Sequence, residues 1–334
     1  MPPALVSIAI PVFDTVRFLP ATLDSLLAQD HAEWEALLWE DGSTDGSAEI
    51  AAAYAARDPR FRLLGDGRNH GIGVGLARAL REARGEYVGV VDGDDLLAPD
   101  ALSTMVAFMQ ARPQLGMAYS QYVEIDEAGH VLGPGMRFRT PYSPERLLLD
   151  FMTYHFRLVR ADAYRALGGF DPALDVSTDY DFCLRLSERY PVEHLPRALY
   201  AYRIRASSVS QGSRLRQVRT AFEAAQRALH RRGMDATHAL SLGVRARHVL
   251  KPRPDAAGGP TGVGANDMEA AQCLRLSPPF DPANASPARD WAEQIDERYR
   301  VFVDAVRRRG LDARYDCALE IDSWHILQPR AGGG

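Results

Sequence analysis

Gly85-Glu86-Tyr87-Val88-Gly89-Val90-Val91-Asp92-Gly93-Asp94-Asp95 sets the terms for the whole chain. A short, β-rich apolar run ends abruptly in three carboxylates spread over four positions. A run bounded this way predicts a buried strand in the middle of a parallel sheet. Open α/β sheets place their ligands beyond the carboxyl ends of such strands. Carboxylates crowded there repel one another unless a cation or a hydrogen-bond network neutralises them. Oxygen-only ligands suit a hard divalent ion, and Mg2+ held through one or two carboxylates plus phosphates fits that chemistry. The plainer alternative is a solvated acidic turn in which Asp94 or Asp95 caps the next helix.

On either side the chain repeats strand and helix with little spare loop. Residues 5–12, 34–39, 61–64 and 116–125 read as further strands. Helices are expected over 18–29, where Phe18, Leu19, Leu23, Leu26 and Leu27 recur at helical spacing, and over 48–56, 74–83 and 99–112. The succession predicts an α/β fold with a mainly parallel sheet flanked by helices. Later residues are less regular: helices at 161–167 and 178–188, a strand at 199–204, and an amphipathic helix at 214–232 with Leu215, Val218, Phe222, Ala225 and Leu229 on one face. The arginines of that helix suit a solvated face or contact with anionic lipid. Pro and Gly crowd residues 252–264 as in a linker. A small α/β appendage is expected beyond it, with a strand at 273–276, a helix marked by Trp291, Ile295, Tyr299, Phe302 and Val306, and an alternating strand through Tyr315, Cys317, Leu319 and Ile321. The expected domains are 1–213, divided near 125 into two halves, then the helix 214–234, then the appendage 235–334.

A formal net charge of -5 over 334 residues argues against bulk nucleic-acid binding, which would need a basic face. Basic charge rests almost wholly on arginine, since Lys251 is the single lysine. Cys183, Cys273 and Cys317 are odd in number and widely spaced, as free thiols in a reducing compartment would be. The N-terminus lacks the pattern of a signal peptide, and no apolar run reaches the ~20 residues that span a bilayer. A cytoplasmic protein is expected, with peripheral contact at the inner membrane face left open.

Four stretches fall at carboxyl ends of expected strands: Pro11-Val12-Phe13-Asp14, Glu40-Asp41-Gly42-Ser43, Asn69-His70-Gly71 and Asp92-Gly93-Asp94-Asp95. In order and spacing, over roughly residues 5–210, they resemble the family-2 glycosyltransferases, which have the GT-A (Rossmann-like) nucleotide-diphospho-sugar transferase fold. The resemblance implies an inverting, divalent-metal-dependent transfer of a sugar from a nucleotide diphosphate sugar, a UDP-sugar first among them, to a hydroxyl acceptor. Polysaccharide, glycolipid or metabolite glycosylation would use such an enzyme, with Mn2+ or Mg2+ as cofactor. Carried over by motif, Pro11, Val12 and Asp14 form the turn after the first strand, Asp14 replacing the family's Asn. Asp41 is matched to the residue that binds the uracil ring, and Asn69 and Gly71 open a helix in the donor site. The family's downstream Arg-Asn pair is Leu76 and Ala77 here. Asp92 is assigned to ribose or sugar and as a candidate metal ligand, and Asp94 to the metal. Asp95 is a further candidate ligand or a helix cap, and Gly93 lets the backbone approach sugar and phosphates closely.

The segment Gly168-Gly169-Phe170-Asp171 followed by Thr178-Asp179-Tyr180-Asp181 resembles the family's G-G-F-[DE] and E-D-x-D stretches, with Thr178 in place of the first carboxylate. Inverting transfer needs one base for the acceptor hydroxyl proton. Asp179 is the candidate, with Asp181 the runner-up or a helix cap. Arg205 stands where relatives often carry a histidine; arginine stays protonated and cannot ligate a metal, but it can pair with a diphosphate. Thr178 and Arg205 together motivate a second reading, a sugar-nucleotide-binding or scaffold protein without turnover. A nucleotidyltransferase is set aside, because Pro11-Val12-Phe13-Asp14 occupies the place of its Gly-rich phosphate loop. Acceptor contacts are expected from residues 126–178, with the C-terminal appendage as a second source, and a homodimer through 214–232 is a further hypothesis.

Overall fold

The computed structural model describes residues 4–205, 211–252, 291–312 and 315–330. In chain order the first elements are β1 (Val6–Val12), α1 (Leu19–Leu27), β2 (Trp34–Glu40), α2 (Ser47–Arg57), β3 (Phe61–Leu64), α3 (Ile72–Arg81) and β4 (Tyr87–Val90). β5 (Leu96–Leu97), α4 (Ala101–Gln110), β6 (Met117–Ile125), β7 (Val131–Pro134) and β8 (Arg157–Arg160) follow. Then come α5 (Ala161–Ala166), α6 (Thr178–Ser187), β9 (Val192–Arg203) and α7 (Gln211–Arg231). β1 and β2 are buried nearly throughout, as their mostly apolar sequences suit them to be central strands, with Ser7 and Glu35 the polar exceptions inside. The sheet order is β3-β2-β1-β4-β8-β6-β9-β5, with β7 on the end of β6.

The half built by β3, β2, β1 and β4 is parallel, as the alternation of strands and helices predicts. β8 then enters antiparallel between β4 and β6, so residues 116–125 do not simply continue the parallel run. Gly89 of β4 makes this insertion feasible, because a Cβ there would lie 3.0 Å from the Phe156 ring and 3.1 Å from the Arg157 carbonyl oxygen. β9 returns parallel to β6, and β5 pairs antiparallel with its end. Between the pairs Tyr119–His194 and Tyr122–Tyr200, β9 uses six residues against three in β6. Pro196, which cannot donate to a ladder, lies within that irregular stretch.

A buried polar network holds the start of β4. The Ser7 hydroxyl donates to Glu35 Oε1 at 2.6 Å and accepts from the Gly85 N–H at 2.8 Å. The Arg84 N–H also reaches Glu35 Oε1, and Arg62 Nη1 donates to Oε2 at 2.8 Å. Burial by itself would raise the Glu35 carboxyl, yet Ser7, the Arg84 amide and Arg62 together leave it below the usual range.

Two compact units divide the chain, the first holding residues 4–205 and 223–234, the second 211–222 and the remaining C-terminal described residues. α7 is therefore shared rather than forming a segment of its own. Its first half gives Leu215 to a core with Val244, Ile295 and Leu319, whereas Ala224, Ala225, Ala228 and Leu229 are buried in the other unit. Arg231 and Arg232 of that half are bound to Glu188, and Arg232 Nη1 donates to the Pro144 carbonyl, so these two arginines form neither a solvated nor a lipid-facing stripe. The second unit also contains β10 (His238–Pro252), α8 (Trp291–Arg308) and β11 (Tyr315–Pro329), the two strands forming an antiparallel ribbon. β10 adds a strand to the expected appendage. The expected strand at 273–276, and the expected linker beyond Pro252, lie outside the described residues. Among the described residues no helix is long and apolar enough to cross a membrane.

Removing Glu35 strands the Ser7, Arg84 and Arg62 donors. Glu35→Ala is expected to cost about 2–4 kcal/mol, read as a lower urea midpoint at neutral pH. Because the folded state holds this carboxyl deprotonated more firmly than the unfolded chain does, the loss should shrink as pH falls below about 4. An unchanged midpoint at pH 7 would count against the network.

Candidate active site

The three parallel strand ends are stitched to one another before any ligand is considered. Asp14, at a left-handed φ of 47°, accepts the Thr44 N–H at 2.8 Å, and its own N–H reaches Ser43 Oγ at 3.3 Å. Asp45, absent from the sequence assignment, takes the Val16 N–H at 2.9 Å and the Ser47 hydroxyl at 2.6 Å. The Val12 side chain is fully buried, so this residue serves through its carbonyl, which accepts from the Asp41 N–H at 2.9 Å. Phe13 beside it is 45% exposed and offers an open aromatic face.

Asp41 is buried and accepts the His70 N–H on Oδ1 and the Gly71 N–H on Oδ2, both at 2.9 Å, with the Trp39 indole N–H on Oδ1 at 3.2 Å. It therefore fixes the Asn69–Gly71 turn at the start of α3. Asn69 itself accepts the Gly71 N–H at 3.1 Å. A Cβ on Gly75 in α3 would fall 2.6 Å from the Trp39 ring, so the helix lies directly on that indole.

Beyond β4 the backbone passes so close to β1 that a Cβ on Gly93 would sit 2.7 Å from the Pro11 carbonyl oxygen. The close approach to β1 already demands glycine at this position. Asp95 is buried with both oxygens turned to β9: Oδ2 accepts the Tyr200 hydroxyl at 2.8 Å and Oδ1 the Arg203 N–H at 2.7 Å. Tyr200 in turn accepts the Asp92 N–H at 3.2 Å. Those contacts give Asp95 a structural task in place of the expected role as metal ligand or helix cap. Arg203 donates from Nε to the Asp94 carbonyl at 2.7 Å and from Nη1 to the Asp126 carbonyl at 2.9 Å, tying three segments together.

Asp92, Asp94 and Asp179 share one neighbourhood. Arg205 Nε pairs with Asp94 Oδ2 at 2.8 Å, and Arg157 Nη2 donates to Asp179 Oδ2 at 2.8 Å. Asp179 lies in the first turn of α6, where its Oδ1 accepts the Tyr180 N–H at 2.8 Å. Asp181 is turned away: it is 2% exposed and bound to Arg185, whose other nitrogens donate to the Leu167 and Gly169 carbonyls. The runner-up base is thus a buried anchor for the Gly168-Gly169 turn. Burial, then the charges of Asp94 and Asp179, push the Asp92 carboxyl up to about 7, against the pull of Arg157 and Arg205. Burial raises Asp94 as well, opposed chiefly by Arg205.

His155, Arg157, Tyr200 and Arg203 carry this arrangement without having been assigned from sequence. His155 stacks on Tyr200 with ring centroids 4.9 Å apart and brings Nε2 to 3.6 Å from Asp92 Oδ2. Burial, then Arg157 and Arg137, hold it well below the usual histidine range, so it stands there as a neutral ring.

Among the described residues no group of three or more His, Cys, Asp or Glu is disposed to hold a metal ion. The oxygen donors of Asp92 and Asp94 nevertheless suit a hard divalent cation, which binds through one or two carboxylates and takes its remaining ligands from water and phosphate. Their crowding, visible in the raised Asp92, is what such a cation would relieve.

A sheet with acidic strand ends converging on one point defines the GT-A class of nucleotide-sugar transferase folds. The sequence matches the model of glycosyl transferase family 2 over residues 7–168. It is 30% identical over 211 residues to EpsE of Bacillus subtilis, covering 59% of this chain and 72% of that protein. The chain belongs to glycosyl transferase family 2. It is also 33% identical over 196 residues to chondroitin synthase of Escherichia coli, covering 59% of this chain but 28% of that enzyme. The chain thus spans about a quarter of the first curated relatives it matches. In fold it resembles Staphylococcus aureus TarS 1-349 in complex with UDP, with a TM-score of 0.54 and 19% identity over 66% of this chain and 65% of that one. The mannosyltransferase PcManGT of Pyrobaculum calidifontis, in complex with GDP-Man and Mn2+, superposes with a TM-score of 0.51 and 16% identity over 92% of this chain and 88% of that one.

Because folded Asp92 binds its proton more tightly than the unfolded chain does, it lowers stability progressively from about pH 4 to about pH 7 and by a constant amount above. Asp92→Asn should therefore raise the thermal midpoint at pH 8 by about 3–6 °C, and the gain should vanish by about pH 4. Equal midpoints for the two proteins at pH 8 would remove the charge crowding on which this rests.

Proposed function

We propose that the chain transfers a sugar, with inversion, from a nucleotide diphosphate sugar to a hydroxyl acceptor. The observation that carries this reading is Asp179, held by Arg157 and close enough to Asp92 for its charge to act on that carboxyl. Asp179 takes the acceptor hydroxyl proton as the oxygen attacks the anomeric carbon. The bond from that carbon to the diphosphate oxygen breaks, and the diphosphate leaves with the electron pair. The Arg157 contact on Oδ2 and the Tyr180 N–H on Oδ1 fix the rotamer of the base, and each oxygen keeps a further lone pair with which to take the acceptor proton. Asp92 and Asp94 would hold Mn2+ or Mg2+, which when bound stabilises the charge developing on the diphosphate.

Phe13 offers its open ring to the base, one residue beyond the Val12 carbonyl that the Asp41 N–H binds. Asp41 Oδ2 accepts one N–H and keeps a lone pair for a base imide. A uridine donor fits that acceptor and is supported by the fold likeness to TarS with UDP; GDP-Man in PcManGT makes guanosine donors the alternative arm of the test. The acceptor is read as a sugar chain, a glycolipid or a glycosylated metabolite. The scaffold reading loses ground because Thr178 is 3% exposed, so the missing carboxylate leaves no gap on the open side of the site.

A hydrolysis screen over UDP-, GDP- and dTDP-sugars with Mn2+ is expected to find one donor class turned over slowly without acceptor. With that donor, Asp179→Asn should lower kcat by about 100- to 10,000-fold while leaving the donor Kd within about twofold. Unchanged turnover removes Asp179 as the base, and failure of every nucleotide to bind removes the donor reading.

A further inference from the structure

Arg205 is not simply another positive charge beside the carboxylates. Its Nε lies 2.8 Å from Asp94 Oδ2, in a pair whose side chains are 24% and 15% exposed, so water screens it only partly. A divalent ion on Asp94 would therefore meet a guanidinium already on one of that carboxylate's two oxygens, and two cations sharing one carboxylate repel each other. Arg203, two residues earlier, is fastened to backbone carbonyls and cannot give way. In this same position the Arg205 guanidinium carbon is 5.6 Å from the centroid of the Phe18 ring, against which Arg17 and Arg203 also lie, at 5.0 and 4.9 Å, so three like charges crowd one ring beside the pair. Its planar fork favours a phosphate group, which it can bind bidentately, over a single carboxylate oxygen.

We infer that Arg205 is a built-in counter-ion for Asp94 that a diphosphate draws away, so that divalent cation and nucleotide bind as a pair and not independently. The inference rests on the reading of this site as one for nucleotide diphosphate sugars. With Arg205 on Asp94 the cation position is partly neutralised and cation affinity is low. With Arg205 moved to the diphosphate, both Asp94 oxygens are released to the cation. By linkage, the factor by which nucleotide tightens the cation is the factor by which the cation tightens nucleotide.

The test measures Mn2+ binding to the full chain by electron paramagnetic resonance and calorimetry, with Mn2+ alone and then with saturating UDP or GDP. Wild type is expected to bind Mn2+ weakly alone and at least about tenfold more tightly with the matching nucleotide. Arg205→Gln should bind Mn2+ alone about tenfold more tightly than wild type, with weaker nucleotide binding and a smaller coupling factor. Asp94→Asn should lose Mn2+ binding in both backgrounds, which locates the ion. An Arg205→Gln affinity for Mn2+ alone that equals or falls below that of wild type overturns the counter-ion role. So does a wild-type protein in which nucleotide leaves Mn2+ affinity unchanged, a result that needs no variant to fold. Absence of UDP and GDP binding to either protein counts instead against the nucleotide-sugar reading, and the comparison with Mn2+ alone still decides the role of Arg205.

Discussion

The Asp95 carboxylate, buried between the end of β4 and the end of β9, is the contact on which the site's alignment turns. A buried carboxylate is costly unless its oxygens are satisfied, and here the Tyr200 hydroxyl and the Arg203 amide satisfy them. Tyr200 passes the constraint on by accepting from the Asp92 amide, and Arg203 does so by binding the Asp94 carbonyl. The backbone of the whole acidic segment is thereby held from one side by β9, and from the other by the close passage of Gly93 over β1. Asp92 and Asp94 can then stand near each other with raised pKa values because the chain that carries them has nowhere to relax.

The same framework separates the arginines by task. Arg203 donates to backbone carbonyls and Arg185 to two carbonyls and the buried Asp181 carboxylate, and both act as bolts. Arg157 sits on a carboxylate proposed to react, and Arg205 on one proposed to hold a cation. Asp95 and Asp181 are likewise buried and structural, whereas Asp179 and Asp92 keep part of their surface open. Motif matching sees four similar aspartates, and only burial and partners sort them.

Much of the fold was legible because β1, β2 and β4 are mostly apolar runs and the intervening helices show 3.6-residue spacing. β8 was not: four residues flanked by arginines carry no strong pattern, and their place between β4 and β6 is a tertiary choice. β10 could have been read, since Leu240, Leu242 and Val244 alternate with Ser241, Gly243 and Arg245. In the site, Asp92, Asp94, Asp179 and Arg205 were visible as residue types at particular spacings. The Asp95–Tyr200 bond joins positions 105 apart and the Arg157–Asp179 bond positions 22 apart, and no local pattern encodes either. Gly93 has a further reason that sequence did not show, since its missing side chain makes room for the Pro11 carbonyl of β1.

The irregular pairing of β9 gives this strand an unusual metric. Its early residues are in step with β6, its late residues are in step again at a different offset, and the slack is taken up around Pro196. Tyr200 and Arg203 are thus indexed from the Asp95 end and not from the start of the strand. Length change between His194 and Ala198 would enter the slack without moving the residues that frame the acidic segment. A single-residue shift after Leu199 would exchange the inward and outward faces of everything that follows. The strand is a ruler whose zero lies at the carboxylate, and its tolerance for variation runs out only in the last few residues before it.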